Sequence, residues 1–341
     1  MSATIKQVAE RAGVSTATVS YVLNGTGTVT EATRQRVLDA VAALDYQPSH
    51  AARSMRGRSR TLGLALPALP GRLADPVLAE VLAGIADAAA QHGYALLLAT
   101  PEPGRDAAEW CVGLARTGRV DGLALLDMQA DDERARALCA AGVPHVCAGP
   151  PPEGCQSPSA TVDLRAGAEQ ATRHLLGLGH RRIALILPPS DLAASEPTAQ
   201  GFSDALAAAG LLSNDTQVIE TGRREEDGYQ AMQELLGLPE PPTAVLAGSD
   251  ELAFGAMHAL YDTGLEVGRE VALVGFDDVP LAAHVHPPLT AFRQPRYRLG
   301  EQIAALLIAT IAQRTHPPQQ IVLQGRLVVR RSAGPALRLG A

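Results

Sequence analysis

The sequence predicts a small all-α headpiece joined to a larger α/β core of two lobes with parallel sheets. Three observations carry this. The first 46 residues divide into three short helices with recognisable caps, apolar runs alternate with amphipathic stretches from Thr61 onward, and those runs are too numerous for one small sheet. A length of 341 residues accommodates two or three domains.

The headpiece helices are bounded by their caps. Thr4 is an N-cap and Gly13 a terminator, which predicts a helix over Ile5–Ala12. Ser15 caps a second helix that runs to about Leu23 and stops at Asn24-Gly25. A third follows Thr30 and places Val37, Val41 and Leu44 at i, i+4 and i+7, on one face. Pro48 interrupts the chain. Ser49 could then cap two helical turns to Arg56, and the basic run Arg56-Gly57-Arg58-Ser59-Arg60 reads as a linker.

In the core, strands are expected at Leu62–Leu66, Tyr94–Ala99, Gly122–Leu126, Pro144–Ala148, Ile183–Leu187, Ala244–Ala247 and Val271–Phe276. Helices are expected at Pro76–His92, Leu164–Leu178, Gly201–Ala209, Glu251–Thr263 and Arg296–Gln313. Strands that are apolar along their whole length are buried on both faces, the mark of parallel sheets covered by helices.

Composition narrows the function. Apolar residues make up 46% but aromatic ones only 3%, so the cores are built from Ala, Leu and Val. No run of about 18 apolar residues occurs, which argues against a membrane span. Met1–Glu10 lacks the basic and apolar segments of a secretory signal. Cys111, Cys139, Cys147 and Cys155 have no CxxC spacing, so neither a zinc site nor a disulfide framework is expected. These features read as a reduced, cytoplasmic protein. The net charge is −7, yet residues 1–60 hold one Lys and seven Arg against four acids. That leaves +4 on the headpiece and −11 on the rest. Contact with phosphate is local, so the headpiece sign matters more than the total, although +4 is also compatible with ordinary surface.

The first two helices form a candidate helix-turn-helix. Ala9 is small where the helices cross, Gly13 tolerates the turn, and Val14, Val19 and Leu23 would lock the second helix. Its leading residues, Ser15, Thr16, Thr18 and Ser20, are short and polar, suited to close approach in a major groove. An ordinary three-helix cap would share this spacing.

The stretch Ala3–Ala9 followed by Gly13–Asn24 resembles the headpiece of the lactose-repressor/galactose-repressor (LacI/GalR) family of bacterial transcription regulators. Thr33–Val37, Leu44–Ser49 and Ala52–Met55 continue the resemblance. Later matches include Gly93-Tyr94, Asp121-Gly122, Val143-Pro144, Gly177–His180, Gly201-Phe202, Ser249-Asp250, Val274–Asp278 and Pro288–Thr290, so it extends to about residue 332. On that pattern Thr16, Ala17 and Tyr21 occupy base-reading positions, and Ser15, Thr18 and Asn24 serve mainly phosphates, with Thr4 also at the DNA. Where the family often carries Arg or His, Tyr21 offers one hydroxyl and no guanidinium fork. Ser49–Arg56 resembles a hinge helix that enters the minor groove, with Ser49, His50 and Arg53 at the DNA. Met55 stands where the family places an intercalating Leu, or else packs on the core. The family binds as a two-fold homodimer, which implies a palindromic operator.

For the core, the resemblance implies a two-lobed periplasmic-binding-protein-like (type I) domain with parallel doubly wound sheets and an effector in the cleft. The expected division is a headpiece at 1–47, a hinge and linker at 48–60, and a core at 61–341. Lobe one is placed at 61–160 and 291–321, and lobe two at 161–290 and 322–334. Ligands in such sheets sit beyond the carboxyl ends of strands, which points to Asp127, Gly149, Ser249 and Asp277. The implied hydroxyl-binding carboxylate is Asp277, with Gln294 nearby. Two departures weaken an ordinary sugar pocket. Thr198 stands where the family commonly has Arg, and Asp75-Pro76-Val77-Leu78 replaces an aromatic stretch. Arg223 and Arg296 could supply positive charge or be solvated surface. Asp277 and Ser249 could equally be helix caps.

The resulting expectation is a homodimeric repressor of double-stranded operator DNA, controlled by a small polar effector, a carbohydrate or another metabolite. The alternative is a ligand-independent repressor with a degenerate cleft. A free solute-binding protein is disfavoured by the attached headpiece. An enzyme is disfavoured by the lack of Walker A, GxGxxG, GxSxG and HExxH motifs. No cofactor motif is present, and Asp277-Asp278 lacks a clustered third metal ligand.

Overall fold

The computed structural model describes residues 3–24, 28–46, 59–66, 74–102, 104–211, 217–312 and 319–337. The expected hinge helix, with Ser49, His50, Arg53 and Met55, lies outside the described residues. The chain divides into two compact units, Met1–Ser59 and Arg60–Ala341.

The first unit contains α1 (Ile5–Ala12), α2 (Thr16–Asn24) and α3 (Glu31–Ala43). Thr4 starts α1 with a reciprocal capping box: its hydroxyl accepts from Gln7 N–H, and its own N–H donates to Gln7 Oε1 at 2.8 Å. Gly13 ends α1 at φ 63°, where a Cβ would be strained. Ser15 Oγ accepts from Thr18 N–H at 3.1 Å and starts α2. Thr30 does the same for α3. Val8, Ala9, Ala12, Val19, Val22, Val37, Ala40 and Tyr46 form the core of this unit.

The second unit holds two six-stranded sheets. The first consists of β1 (Thr61–Ala65), β2 (Ala95–Ala99), β3 (Gly122–Leu125), β4 (His145–Cys147), β5 (Ser159–Val162) and β11 (Gln320–Leu323), in spatial order β11-β5-β4-β3-β1-β2. The second consists of β6 (Ile183–Leu187), β7 (Val218–Glu220), β8 (Ala244–Ala247), β9 (Ala272–Gly275), β10 (Thr290–Arg293) and β12 (Arg326–Val328), in order β12-β10-β9-β8-β6-β7. All pairs are parallel except β10–β12. The central strands β1, β3, β6, β8 and β9 are buried along their whole length, which their unbroken apolar sequences require.

Nine helices cover these sheets among the described residues: α4 (Pro76–Gln91), α5 (Ala107–Arg116), α6 (Glu133–Ala140), α7 (Leu164–Gly177), α8 (Ser195–Ala208), α9 (Glu225–Leu236), α10 (Asp250–Asp262), a short 3₁₀ turn at Pro280–Ala283 and α11 (Arg296–Ala312). With few aromatic side chains available, helix pairs pack by close backbone approach. A Cβ on Gly84 would strike the Tyr297 carbonyl between α4 and α11, and one on Gly255 would strike the Glu225 carbonyl between α10 and α9. α8 begins six residues before the expected Gly201, because Pro197 sits in the first turn, where no intrahelical N–H is needed.

The chain passes between the sheets three times: after β5 near Asp163, after β10 at Gln294-Pro295, and between β11 and β12 at Gln324-Gly325. The expected lobe limits at 160, 291 and 321 fall inside β5, β10 and β11. An apolar run marks a strand but does not say which sheet it joins. No helix among the described residues is long and apolar enough to cross a membrane.

Candidate functional site

Two surfaces concern function, one in each unit. In the first unit, α2 buries Val19 and Val22 against α1 and α3 and turns Ser15, Thr16, Ala17 and Tyr21 to solvent. Tyr21 is 51% exposed. Thr18 is half-buried, and its hydroxyl lies 2.9 Å from Ser15 Oγ. That contact joins the N-cap to the first turn and fixes both hydroxyls at the leading end of α2. Asn24 is its last residue.

In the second unit, a cleft of about 800 Å³ lies at the carboxyl ends of the strands, lined from both lobes. Asp127, Thr198, Arg223, Ser249, Asp277, Gln294 and Arg296 all line it, as does Gly149.

Asp127 follows β3 at φ 55°, a left-handed conformation that Asp tolerates better than most residues. Its carboxylate receives a two-pronged contact from Arg223, at 3.0 and 3.1 Å. Asp127 belongs to the lobe of β3 and Arg223 to that of β7, so the pair bridges the cleft. Burial works against the Arg223 charge, and the hydrogen bonds it donates to Asp127, with the nearby carboxylate charges, outweigh it, leaving the guanidinium more basic than usual. The backbone joins the same lips: Ala193 N–H donates to Met128 O at 3.0 Å, and Ala130 N–H to Asp191 O at 2.8 Å.

Asp277 follows β9 and is almost wholly engaged. Its Oδ1 accepts from Arg296 at 2.5 Å and from Gln294 Nε2 at 3.2 Å, while its Oδ2 accepts the Asp250 N–H at 3.0 Å. It therefore both lines the cleft and caps α10. Ser249 is the N-cap of α10, accepting from Leu252 N–H. The Thr198 hydroxyl donates to Ala194 O at 2.8 Å within its own helix, so it faces the cleft with its hydrogen already committed. Beneath Asp277, buried Asp250 accepts N–H groups from Asp277 and Val279. Burial, then the Asp277 charge, raise its carboxyl to about 7. Asp278 points away from the cleft, to Arg293 and Arg330. The reading of Arg223 and Arg296 as solvated surface is thus corrected: each faces a cleft carboxylate.

Sequence reasoning missed Phe254 and Phe276, which give the cleft an aromatic wall in place of the absent early aromatics. Phe276 was legible as the residue directly after β9. Phe254 sits one turn into α10, where nothing in the sequence separates it from core. Glu251 was missed too; burial, then Asp75, raise its pKa. Among the described residues no cluster of His, Cys, Asp and Glu could hold a metal ion.

This architecture matches known proteins over both units. Residues 4–49 match the model of bacterial regulatory proteins of the lacI family, and residues 172–333 that of the periplasmic binding protein-like domain. The HTH-type transcriptional regulator CelR of Thermobifida fusca is 37% identical over 96% of this chain and 98% of its own. The chain belongs to the LacI family. Members with solved structures include the CelR–cellobiose complex, at 36% identity and TM-score 0.75 over 97% of this chain and 99% of that one. The lac repressor dimer bound to operator and the anti-inducer ONPF superposes with TM-score 0.83 and 29% identity, over 98% and 100% of the two chains. As a LacI-family protein the chain is a DNA-binding transcription regulator with a type I binding-protein-like core, and not an enzyme.

Proposed function

We propose that this regulator is a cytoplasmic homodimeric repressor whose headpieces read a palindromic operator, released or tightened by a neutral, hydroxyl-bearing effector in the cleft. The observation that carries the DNA reading is the solvent-facing leading edge of α2. Thr16, Ala17 and Tyr21 reach base edges, while Thr4, Ser15, Thr18 and Asn24 hold phosphates. Ser49, His50, Arg53 and Met55 join them from the hinge. The working division is a headpiece at 1–47, a hinge at 48–60 and a core at 61–341.

The effector class follows from the pairing of charges. Arg223 and Arg296 are each bound to a carboxylate that offsets the charge, which disfavours an anion, and Arg296 Nε is buried with no hydrogen-bond partner among the described residues and remains available to a hydroxyl. An uncharged ligand that exchanges hydroxyls with Asp277, Ser249 and Gln294 and rests on Phe254 fits this lining. That CelR was solved with cellobiose supports a carbohydrate. The committed hydroxyl of Thr198 and the saturated Asp277 favour the second reading, a repressor whose cleft takes no ligand.

The test is selection of bound duplexes from random DNA by the full chain, repeated with cellobiose, other disaccharides and monosaccharides. The expected result is a palindromic sequence whose retention changes with one sugar. No preferred duplex would overturn the DNA reading, and a preferred duplex indifferent to every sugar, with no calorimetric signal, would favour the second.

A further inference from the structure

Away from the cleft, the lobe of β1–β5 holds a chain of polar groups in an otherwise apolar setting. It joins β4, the β4–β5 loop and α6. His145 Nδ1 faces the Val143 carbonyl at 2.8 Å, so Nδ1 carries the hydrogen. Burial lowers the His145 pKa, so the ring is neutral and its Nε2 is a bare acceptor. Ser157 Oγ lies 2.6 Å from that nitrogen and must donate to it. The Ser157 oxygen is then left to accept, and Cys155 Sγ stands 3.0 Å away. Ser157 O–H thus donates to His145 Nε2, and the single Cys155 S–H is shared between Ser157 Oγ and the Ala135 carbonyl. All three side chains are buried, at 8%, 1% and 5% exposure.

A second sulfur completes the cluster. Cys155 Sγ also lies 3.6 Å from the Ala135 carbonyl, on the α6 turn that ends at Cys139. Cys139 lies one turn along α6 from Ala135, is half-buried and nearer to solvent, and its proximity raises the Cys155 thiol. Arg136, on the same helix, favours the Cys155 thiolate electrostatically. We propose that Cys155 is a peroxide-reactive thiol and Cys139 its resolving partner, so that oxidation joins the end of α6 to the β4–β5 loop by a disulfide.

The chemistry balances with hydrogen peroxide as oxidant. Burial, then Cys139, keep the Cys155 thiol protonated at rest, so its proton has to leave as sulfur attacks. An S–O bond forms and the O–O bond breaks. The thiol proton moves through Ser157 to His145 and on to the departing hydroxide, which leaves as water. Cys139 sulfur then attacks the sulfenic acid, the S–O bond breaks, and a second water leaves with the Cys139 proton. The two thiols lose two electrons and two hydrogens, and peroxide is reduced to water. Cys111 and Cys147 are internal controls. Burial pushes them up to about 11 and about 12, and among the described residues neither has a hydroxyl relay beside it. The consequence reaches the cleft, because the tethered loop begins with Ala148, Gly149 and Pro150, which line it.

The test is peptide mapping of the full chain after brief exposure to hydrogen peroxide, with free thiols alkylated and no reductant. The expected product is a Cys139–Cys155 cross-link with Cys111 and Cys147 alkylated. Cys139→Ser removes the resolving thiol but keeps the relay, and should leave a dimedone-reactive sulfenic acid on Cys155. Ser157→Ala should slow cross-linking at least about tenfold, the lower end of general-base assistance being higher still. His145→Gln should do the same if Ser157→Ala fails to fold. A cross-link through Cys147 or Cys111, dimedone labelling elsewhere than Cys155, or relay variants that react at the unaltered rate would overturn the proposal.

Discussion

Replacing Asp127 by Asn tests whether the ion pair across the cleft lips holds the lobes together. The substitution keeps size and a polar carbonyl but removes the charge that faces Arg223. Asp127 is 11% exposed and Arg223 35%, so the pair lies between two regimes. Exposed pairs contribute about 0–1 kcal/mol, whereas breaking a buried pair costs about 3–5 kcal/mol. With half-screened geometry and two charge-assisted bonds, a coupling of about 2 kcal/mol is expected, roughly thirtyfold in the equilibrium between joined and parted lips. Asp127 has interactions besides those to Arg223, so a single variant overstates the pair. A double-mutant cycle of Asp127→Asn, Arg223→Gln and both together removes that surplus. Urea unfolding gives the coupling energy, and small-angle scattering gives the separation of the lobes. Each single variant should scatter as a more extended particle, and the double variant should be little worse than either single. A coupling below about 0.5 kcal/mol, with scattering unchanged, would refute the reasoning.

Other expectations concern the remaining elements. Thr18→Ala removes a hydroxyl held at the α2 N-cap and should weaken binding to all duplexes alike, whereas Tyr21→Ala should relax preference at one operator position; binding selection on both variants distinguishes them. Gly255→Val forces a side chain into the α9 backbone and should lower stability by at least about 2 kcal/mol, read as a drop of several degrees in thermal unfolding. Burial holds His145 and His180 below their usual 6.5 in the folded chain, so the unfolded chain binds more protons as pH falls below that value. Stability should be full above pH 6.5 and decline below it, and His180→Gln should flatten that decline in urea titrations at pH 7.5 and 5.

Much of the fold was legible because local signals coincide with it. Thr4, Ser15 and Thr30 each announce a helix start that the backbone adopts. Ile183–Leu187 and Ala244–Ala247 are bounded as expected, since fully buried parallel strands leave unbroken apolar runs. The helices Ala107–Arg116, Glu133–Ala140 and Glu225–Leu236 escaped notice, each being only 8 to 12 residues long. Edge strands β7 and β12 escaped because three residues at a sheet margin carry no periodic pattern. In the cleft, positions after strands were readable from topology alone. The partner of Arg223 was not, since Asp127 lies 96 residues away and only tertiary structure brings them together.

The three passages of chain between the sheets, near Asp163, at Gln294-Pro295 and at Gln324-Gly325, act as three pins in one door. With three pins in place the panels can swing but hardly slide, so any movement they make is confined to few directions. The third pin has little clearance, for a side chain at Gly325 would run into the Phe292 ring and the Arg293 carbonyl. Stiffness there is set by one missing methyl group, and a single added carbon would be felt by both panels at once.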